Sequence, residues 1–232
     1  MMKKNWSNYF CDIANKYNMR LSKSKPIVVF IDGKDITKSF KHDLVYQNKN
    51  SFNDVFNNVV KDFSKQFDCK AICGVDEVSF IFEDARALEK KIKIDTLRCQ
   101  EIVSVISQIF YKNFKEKYTL DTVYWHCKCS NIPKGKVNSY IRYRSQTIYE
   151  LSLTYFLKRK QQRNAGQIDI AIKQQMCEKY EDYEQFKKYE KGNMYINGHR
   201  IDTQAFIDGK IEELSDIQRE DYGNFLDITN FK

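Results

Sequence analysis

Pro26-Ile27-Val28-Val29-Phe30-Ile31-Asp32-Gly33 is the stretch on which the reading of this chain turns. A short, continuous apolar run rich in β-branched residues packs well on a pleated surface, so it reads as a buried strand, and the Asp-Gly pair ends it in a tight turn. Downstream, from Phe52, the residues Val55, Phe56, Val59, Val60, Phe63 and Phe67 recur at helical steps, with Asn50-Ser51 available as a cap. This spacing predicts an amphipathic helix. Lys70 to Cys73 and Val78 to Phe82 then read as short strands joined through Gly74-Val75-Asp76-Glu77. The order around the opening stretch is therefore β-α-β-β.

Further along, a second long helix is predicted over Ile94 to Lys117, with Leu97, Val103, Ile106, Phe110 and Phe114 on its buried side. A strand follows at Thr122 to Cys127, then a loop at Asn131-Ile132-Pro133-Lys134-Gly135. A long helix begins at Val137 and carries Ile141, Ile148, Leu151, Tyr155 and Phe156. A shorter helix is read from Ile168 to Tyr180. A hairpin is read at Asn197-Gly198, because that pair supplies the positive φ values of a type I′ turn. Before Pro26, the spacing of Tyr9, Phe10, Ile13 and Tyr17 predicts a short helix over Trp6 to Met19, and the C-terminal stretch is acidic. With no repeat, no low-complexity tract and interspersed charge, the expectation is a single domain over 1–232, with a core at about 26–130 and a helical, basic extension at about 131–232.

Composition limits what such a domain does. Of 232 residues, 42% are hydrophobic, enough for a sizeable core. An excess of 39 Lys and Arg over 31 Asp and Glu gives a net charge of +8, which favours an anionic partner such as a nucleic acid or nucleotide. Only 2 Pro and 8 Gly exclude collagen-like and Pro-rich classes, and no apolar run approaches the roughly 20 residues of a membrane span. Met1-Met2-Lys3-Lys4-Asn5-Trp6 does not lead into an apolar segment, and the 7 Cys lack paired spacings. Both features point to reduced thiols and a cytoplasmic protein.

Two acidic sites flank the Phe52 helix: Asp32 at the end of the first strand and Asp76-Glu77 at the tip of the following hairpin. A β-α-β-β unit sets the first strand beside that hairpin and so brings the two sites together. Convergent carboxylates at strand ends suit two-metal phosphoryl transfer, because hard Mg²⁺ ions take anionic oxygens and keep positions open for substrate phosphates. An acidic residue beside a turn glycine is equally ordinary surface chemistry, and spacing does not separate the two readings. Adjacent strand residues face opposite ways, so Asp76 and Glu77 should not both ligate one ion; Asp76 is the expected ligand.

Residues 28–40, VVFIDGKDITKSF, resemble the R-[IL]-D-G-R-x-F-H-x-F segment of tRNA-histidine guanylyltransferases and their relatives, and residues 74–82, GVDEVSFIF, resemble that family's G-x-S-D-E-Y-S-F-V-F segment. Tyr140-Ile141-Arg142-Tyr143-Arg144 is similar to Y-[LF]-x-W-R-Q, and Tyr189-Glu190-Lys191-Gly192-Asn193 to a late Y-R-K-G-T. The resemblance implies an α+β fold with a palm-type (ferredoxin-like) catalytic core, an antiparallel sheet and flanking helices. It also implies a nucleotidyltransferase that extends the 5′ end of an RNA, tRNA or tRNA-like, in the 3′-5′ direction using GTP or ATP. On the implied roles, Asp32, Asp76 and the carbonyl of Gly33 hold two Mg²⁺ with Glu77 in support, and the segment Lys34, Asp35, Ile36, Thr37, Lys38 cradles a triphosphate. A homotetramer is implied as well. A related palm enzyme that joins free nucleotides into a small oligonucleotide or cyclic signal is the alternative.

The chain departs from the family pattern at Phe30, where an Arg is expected, at Thr37, where a His is expected, and at Ser145, Thr147 and Leu151 after Tyr143-Arg144. Arg142, Arg144, Lys158, Arg159, Lys160 and Arg163 form the densest basic cluster and suit an RNA backbone, although a solvated helix face explains them equally well. His126-Cys127-Lys128-Cys129 suggests zinc, but alternation puts both thiols on one face and no second ligand pair lies nearby, so paired thiols on a half-buried strand are expected instead.

Overall fold

A computed structural model describes residues 19–34, 52–74, 76–94, 97–117, 124–162, 164–187 and 191–207. The helix expected before Pro26, the acidic C-terminal stretch, and the predicted nucleotide-loop residues Asp35, Ile36, Thr37 and Lys38 lie outside the described residues, Met19 excepted, as does Arg163.

The opening stretch is a strand, β1 (Ile27–Lys34), followed by helix α1 (Phe52–Phe67) and the hairpin β2 (Lys70–Gly74) and β3 (Glu77–Phe82). Next come α2 (Ala85–Ile92), α3 (Cys99–Lys115) and β4 (Tyr124–Asn131). The long helix α4 (Val137–Arg159) leads through a 3-10 turn to α5 (Ile170–Cys177) and α6 (Tyr183–Lys187). The hairpin β5 (Asn193–Ile196) and β6 (His199–Ile201) and the short α7 (Thr203–Ile207) complete the described chain.

All strands join one six-stranded sheet in the order β4-β1-β3-β2-β5-β6, and every neighbouring pair is antiparallel. The first four strands, with α1 and α3 as crossovers, give the α+β, palm-type (ferredoxin-like) arrangement. The hairpin turn at Asn197-Gly198 has φ of 51° and 82°, as a type I′ turn requires, and through it the C-terminal part of the chain adds strands to the sheet beside β2.

One face of the sheet is sealed. Val29, Ile31, Val78, Phe80 and Ala71 lie under α1 and α3, whose Phe56, Phe63, Phe110 and Phe114 are fully buried. The rings interlock: Phe63 lies 4.2 Å from Phe80, Phe110 stands edge-on to Trp125 at 5.1 Å, and Phe56 stacks on Trp125 at 5.8 Å. Fully burying one such side chain is worth about 1.5–3 kcal/mol, so this face supplies most of the drive to fold.

The opposite face is only partly covered. The first half of α4 lays Val137, Ile141 and Ile148 over Val28, Ile72, Ile81 and Met194. Its second half turns Leu153, Phe156 and Leu157 to a separate cluster with Cys177, Tyr183 and Phe186. The buried stripe thus changes partner midway along the 23-residue helix.

Four points differ from expectation. Sequence reading passes over α2, which Asp84 caps by accepting from the Arg86 and Ala87 amides and which Lys93 ends at a left-handed φ of 54°. The helix expected from Ile94 begins only at Cys99, because Leu97 and Arg98 are extended and pair with Leu21 and Arg20; the Leu21 N–H donates to the Leu97 carbonyl at 2.7 Å. The strand expected over Thr122 to Cys127 is seen at Tyr124–Asn131, with positions 122 and 123 outside the described residues, and the helix expected to run to Tyr180 stops at Cys177.

Candidate active site

Register places the acidic residues. On β1, Asp32 stands opposite Glu77 of β3 on one side and His126 of β4 on the other, while Glu77 stands opposite Gly74 of β2. Directly opposed residues share a face, so His126, Asp32 and Glu77 form a row across the sheet on the face that α4 partly covers. Val28, Phe30 and Asp32 alternate onto that face, and Val29 and Ile31 onto the sealed one.

Two carboxylates set opposite one another repel, and the fold answers with a cation from α4. The Arg144 guanidinium donates to the Glu77 carboxylate, both residues being almost fully buried at 9% and 8% exposure. The same guanidinium lies over the Phe30 ring, 4.7 Å from its centroid. A backbone detail brings it there: a Cβ on Gly74 would meet Ile148 Cγ2 at 2.3 Å, so only glycine lets α4 come this close to β2. Ile148 lies one turn after Arg144 on the same side of the helix, and Ile141 nearly one turn before it.

The electrostatics follow from burial. Desolvation raises the Asp32 carboxyl above the ordinary carboxylate value, against the pull of His126, Lys128 and Arg144. Desolvation likewise raises Glu77, opposed by Arg144 and reinforced by the Asp32 charge. Beside them, the Tyr140 hydroxyl and Ser79 Oγ share a hydrogen bond of 3.0 Å, and burial raises the Tyr140 phenol. His126 and Lys128 are exposed on the uncovered part of this face.

Asp76 sits at the hairpin tip, where its carbonyl accepts the Gly33 N–H at 2.9 Å and ties the end of β1 to the turn. Its charge is felt at Tyr155, whose phenol burial raises against the pull of Arg159, with Asp76 adding to the rise. The structure thus brings Asp32, Gly33, Asp76 and Glu77 to one end of the β1–β3 pair. Glu77 is the carboxylate that faces Asp32.

The basic cluster does not stay together. Arg144 points at the carboxylates. Lys160 pairs with Asp182 at 2.7 Å and lies over the Phe156 and Tyr180 rings. Arg142, Lys158 and Arg159 are exposed, but α4 holds Arg142 and Lys158 about 24 Å apart at 1.5 Å per residue. Sequence reading weighed His126 only as a metal ligand and did not connect Lys128 with the site, while Phe30, Ser79 and Tyr140 fell within the motif segments without a stated role. For the strand residues the missing signal was the register, which needs the pairing partner to be known. Within β4, Cys127 and Cys129 face the sealed side, away from His126 and Lys128; burial pushes the Cys127 thiol up to about 12.

The chemistry of the donor set suits a hard cation. Asp32 offers a half-buried carboxylate, and Gly33 and Asp76 lie within the same tied turn. Among the described residues no three His, Cys, Asp or Glu side chains group into a complete ligand set. Mg²⁺ needs none, since it is commonly held by one or two carboxylates together with substrate phosphates and water.

No protein-family model matches the chain, and no curated protein does. Solved structures do. A bacterial tRNA(His) guanylyltransferase (Thg1)-like protein in complex with ATP superposes with a TM-score of 0.59 at 18% identity, covering 82% of this chain and 84% of that one. A bacterial protein of the same description in complex with GTP gives 0.57 at 16% identity, covering 91% and 97%. The tRNA(His) guanylyltransferase of Saccharomyces cerevisiae gives 0.57 at 16% identity, covering 86% and 95%. The fold of this chain is the fold of those proteins.

Proposed function

We propose that this chain is a divergent tRNA-histidine guanylyltransferase-like enzyme: a magnesium-dependent nucleotidyltransferase that adds nucleotides to the 5′ end of RNA, tRNA or tRNA-like, in the 3′-5′ direction. The observation that carries this reading is the row of Asp32 and Glu77 on a palm-type sheet, compensated by Arg144 and flanked by His126 and Lys128. The likeness in fold to structures solved with ATP and GTP supports it.

On this reading the carboxylate of Asp32, the carbonyl of Gly33 and Asp76 hold two Mg²⁺, which would activate the attacking oxygen and neutralise charge on the phosphates. Glu77 supports the site from its place opposite Asp32. A nucleoside triphosphate supplies a 3′-hydroxyl, which bonds to the 5′ phosphorus of the RNA as the group that activated that phosphate departs. Lys34 and the amides of the following residues, through Lys38, cradle the triphosphate, since successive backbone N–H groups form a nest for anions. Exposed Arg142, Lys158 and Arg159 contact RNA phosphates. The enzyme is cytoplasmic and works as a homotetramer; no described helix is long and apolar enough to cross a membrane.

Phe30 replaces an Arg of the family pattern with an apolar ring, and Thr37, Ser145 and Thr147 replace longer polar groups with short hydroxyls, of which Ser145 and Thr147 donate to the Lys191 and Tyr143 carbonyls; hydrogen bonds to a base lost in this way are not made up by packing. Strict selection of guanosine is therefore weak on this reading, with either addition of any pairing nucleotide or a substrate other than tRNA as the consequence. Incubation with each labelled triphosphate, with and without bulk tRNA, tests the reading. Label on RNA supports it, a small RNA-independent product replaces it with the oligonucleotide-synthase alternative, and no product with any triphosphate refutes it.

A further inference from the structure

The thiols of β4 have a neighbour outside their own strand. Cys127 and Cys129 alternate onto the sealed side, and α3 packs against that side of β4 with Cys99 as its first residue. The Cys129 thiol donates to the Cys99 carbonyl at 3.6 Å, across 30 residues of sequence. It also hydrogen-bonds the Cys99 thiol, so the two sulfurs are in contact. Sequence spacing pairs Cys129 with Cys127; the fold pairs it with Cys99.

The surroundings make this contact chemically accessible. Cys99 and Cys129 are both partly exposed, whereas Cys69, Cys73 and Cys177 are buried. β4 is the last strand at its end of the described sheet, paired on one side by β1. The backbone at Cys99 is fixed as well: its N–H donates to the Met19 carbonyl at 2.9 Å, and the preceding Arg98 bridges to Arg20. Because a disulfide tolerates little error in the separation and direction of its two residues, thiols already in contact on a fixed frame are the ones that can be joined.

We propose that Cys99 and Cys129 form an oxidation site, a thiol pair that a hydroperoxide converts to a reversible disulfide joining the start of α3 to β4. Burial first, then the neighbouring Cys99 and Cys127, keep the Cys129 thiol protonated, which leaves the Cys99 sulfur to react first. Having given its proton to solvent, Cys99 attacks one peroxide oxygen; the O–O bond breaks, and the departing hydroxide takes up a proton and leaves as water. The Cys129 sulfur then attacks the sulfenic acid on Cys99. The S–S bond forms, the S–O bond breaks, and the Cys129 proton leaves with the hydroxyl as a second water. A small dithiol reverses the bond by exchange. The disulfide clamps the strand whose other side carries His126 and Lys128, and it stands or falls independently of the proposed nucleotidyl transfer.

The test treats the dilute full chain with hydrogen peroxide, alkylates the remaining thiols and identifies the peptides by mass spectrometry. The expected product joins Cys99 to Cys129, is lighter by two hydrogens, and disappears with dithiothreitol. Cys127→Ser retains this cross-link. Cys129→Ser loses it and leaves Cys99 as a sulfenic acid that dimedone traps. The wild-type cross-link needs no variant to fold. Alkylation of both thiols after peroxide, a bond between Cys127 and Cys129, a bond between two chains on a non-reducing gel, or no dimedone adduct on Cys99 in Cys129→Ser overturns the inference.

Discussion

The two faces of the sheet are built from the same strands yet obey different rules. On one, Val29, Ile31, Phe80 and the α1 and α3 phenylalanines pack as apolar volume, with the polar Ser64, Asn57 and Asn193 gathered toward the β5 side. On the other, alternate residues of the same strands place Asp32, Glu77, Ser79, His126 and Lys128 around a single buried arginine. The sealed face supplies stability. The open face spends some of it on charges held close together, which is the pattern expected where a fold carries chemistry.

The contrast breaks most visibly on the sealed side. Phe63→Ala removes a ring in contact with Phe67, Phe80 and Phe110, and is expected to cost about 3–5 kcal/mol. Chemical denaturation measures this. A loss under about 1 kcal/mol would show that this face is not the principal core.

On the open side the balance reverses. Asp32→Asn is expected to lower nucleotidyl transfer by about a hundred- to a thousandfold, the scale of one lost electrostatic contact to a transition state, with no loss of thermal stability. The stability half follows from the raised Asp32 carboxyl, since neutralising a desolvated charge beside Glu77 relieves repulsion. Parallel melting and single-turnover assays check it; an unfolded variant or near-full turnover would merge the two faces into one rule.

Gly74→Ala sharpens the comparison at the point where α4 meets the sheet. The added methyl collides with Ile148, and overpacking of this kind costs about 1–3 kcal/mol. Lifting α4 also draws Arg144 from Glu77, so activity falls beyond what the stability loss explains. Adding Ile148→Ala to the same chain makes room for the methyl and restores part of the activity.

The smallest effect is a pH trend. A carboxyl raised on folding binds its proton more readily in the native state, so stability rises as pH falls from neutrality toward the ordinary carboxylate range. Asp32→Asn flattens that trend in melting temperatures taken in metal-free buffer. A trend of opposite sign would mean that Arg144, His126 and Lys128 outweigh burial.

Much of this was legible in the sequence. The Ile27–Ile31 run, the α1 periodicity, the β2–β3 hairpin and the Asn197-Gly198 turn are local patterns whose physics acts within a few residues, and the structure has each of them. Local pattern also marked Asp32, Asp76 and Glu77. It did not separate Arg144 from its neighbours in the basic cluster, because its burial depends on Gly74 admitting α4 against β2, a contact between residues far apart in the chain. Nor did it attach His126 and Lys128 to Asp32, since a strand's partner is chosen by the sheet. The sequence by itself determined which residues form strands and helices and where acidic groups end them, for these depend on periodicity and turn chemistry. Only the tertiary structure decided which carboxylate meets an arginine and which opens outward, because burial and charge pairing are properties of the assembled sheet and helix.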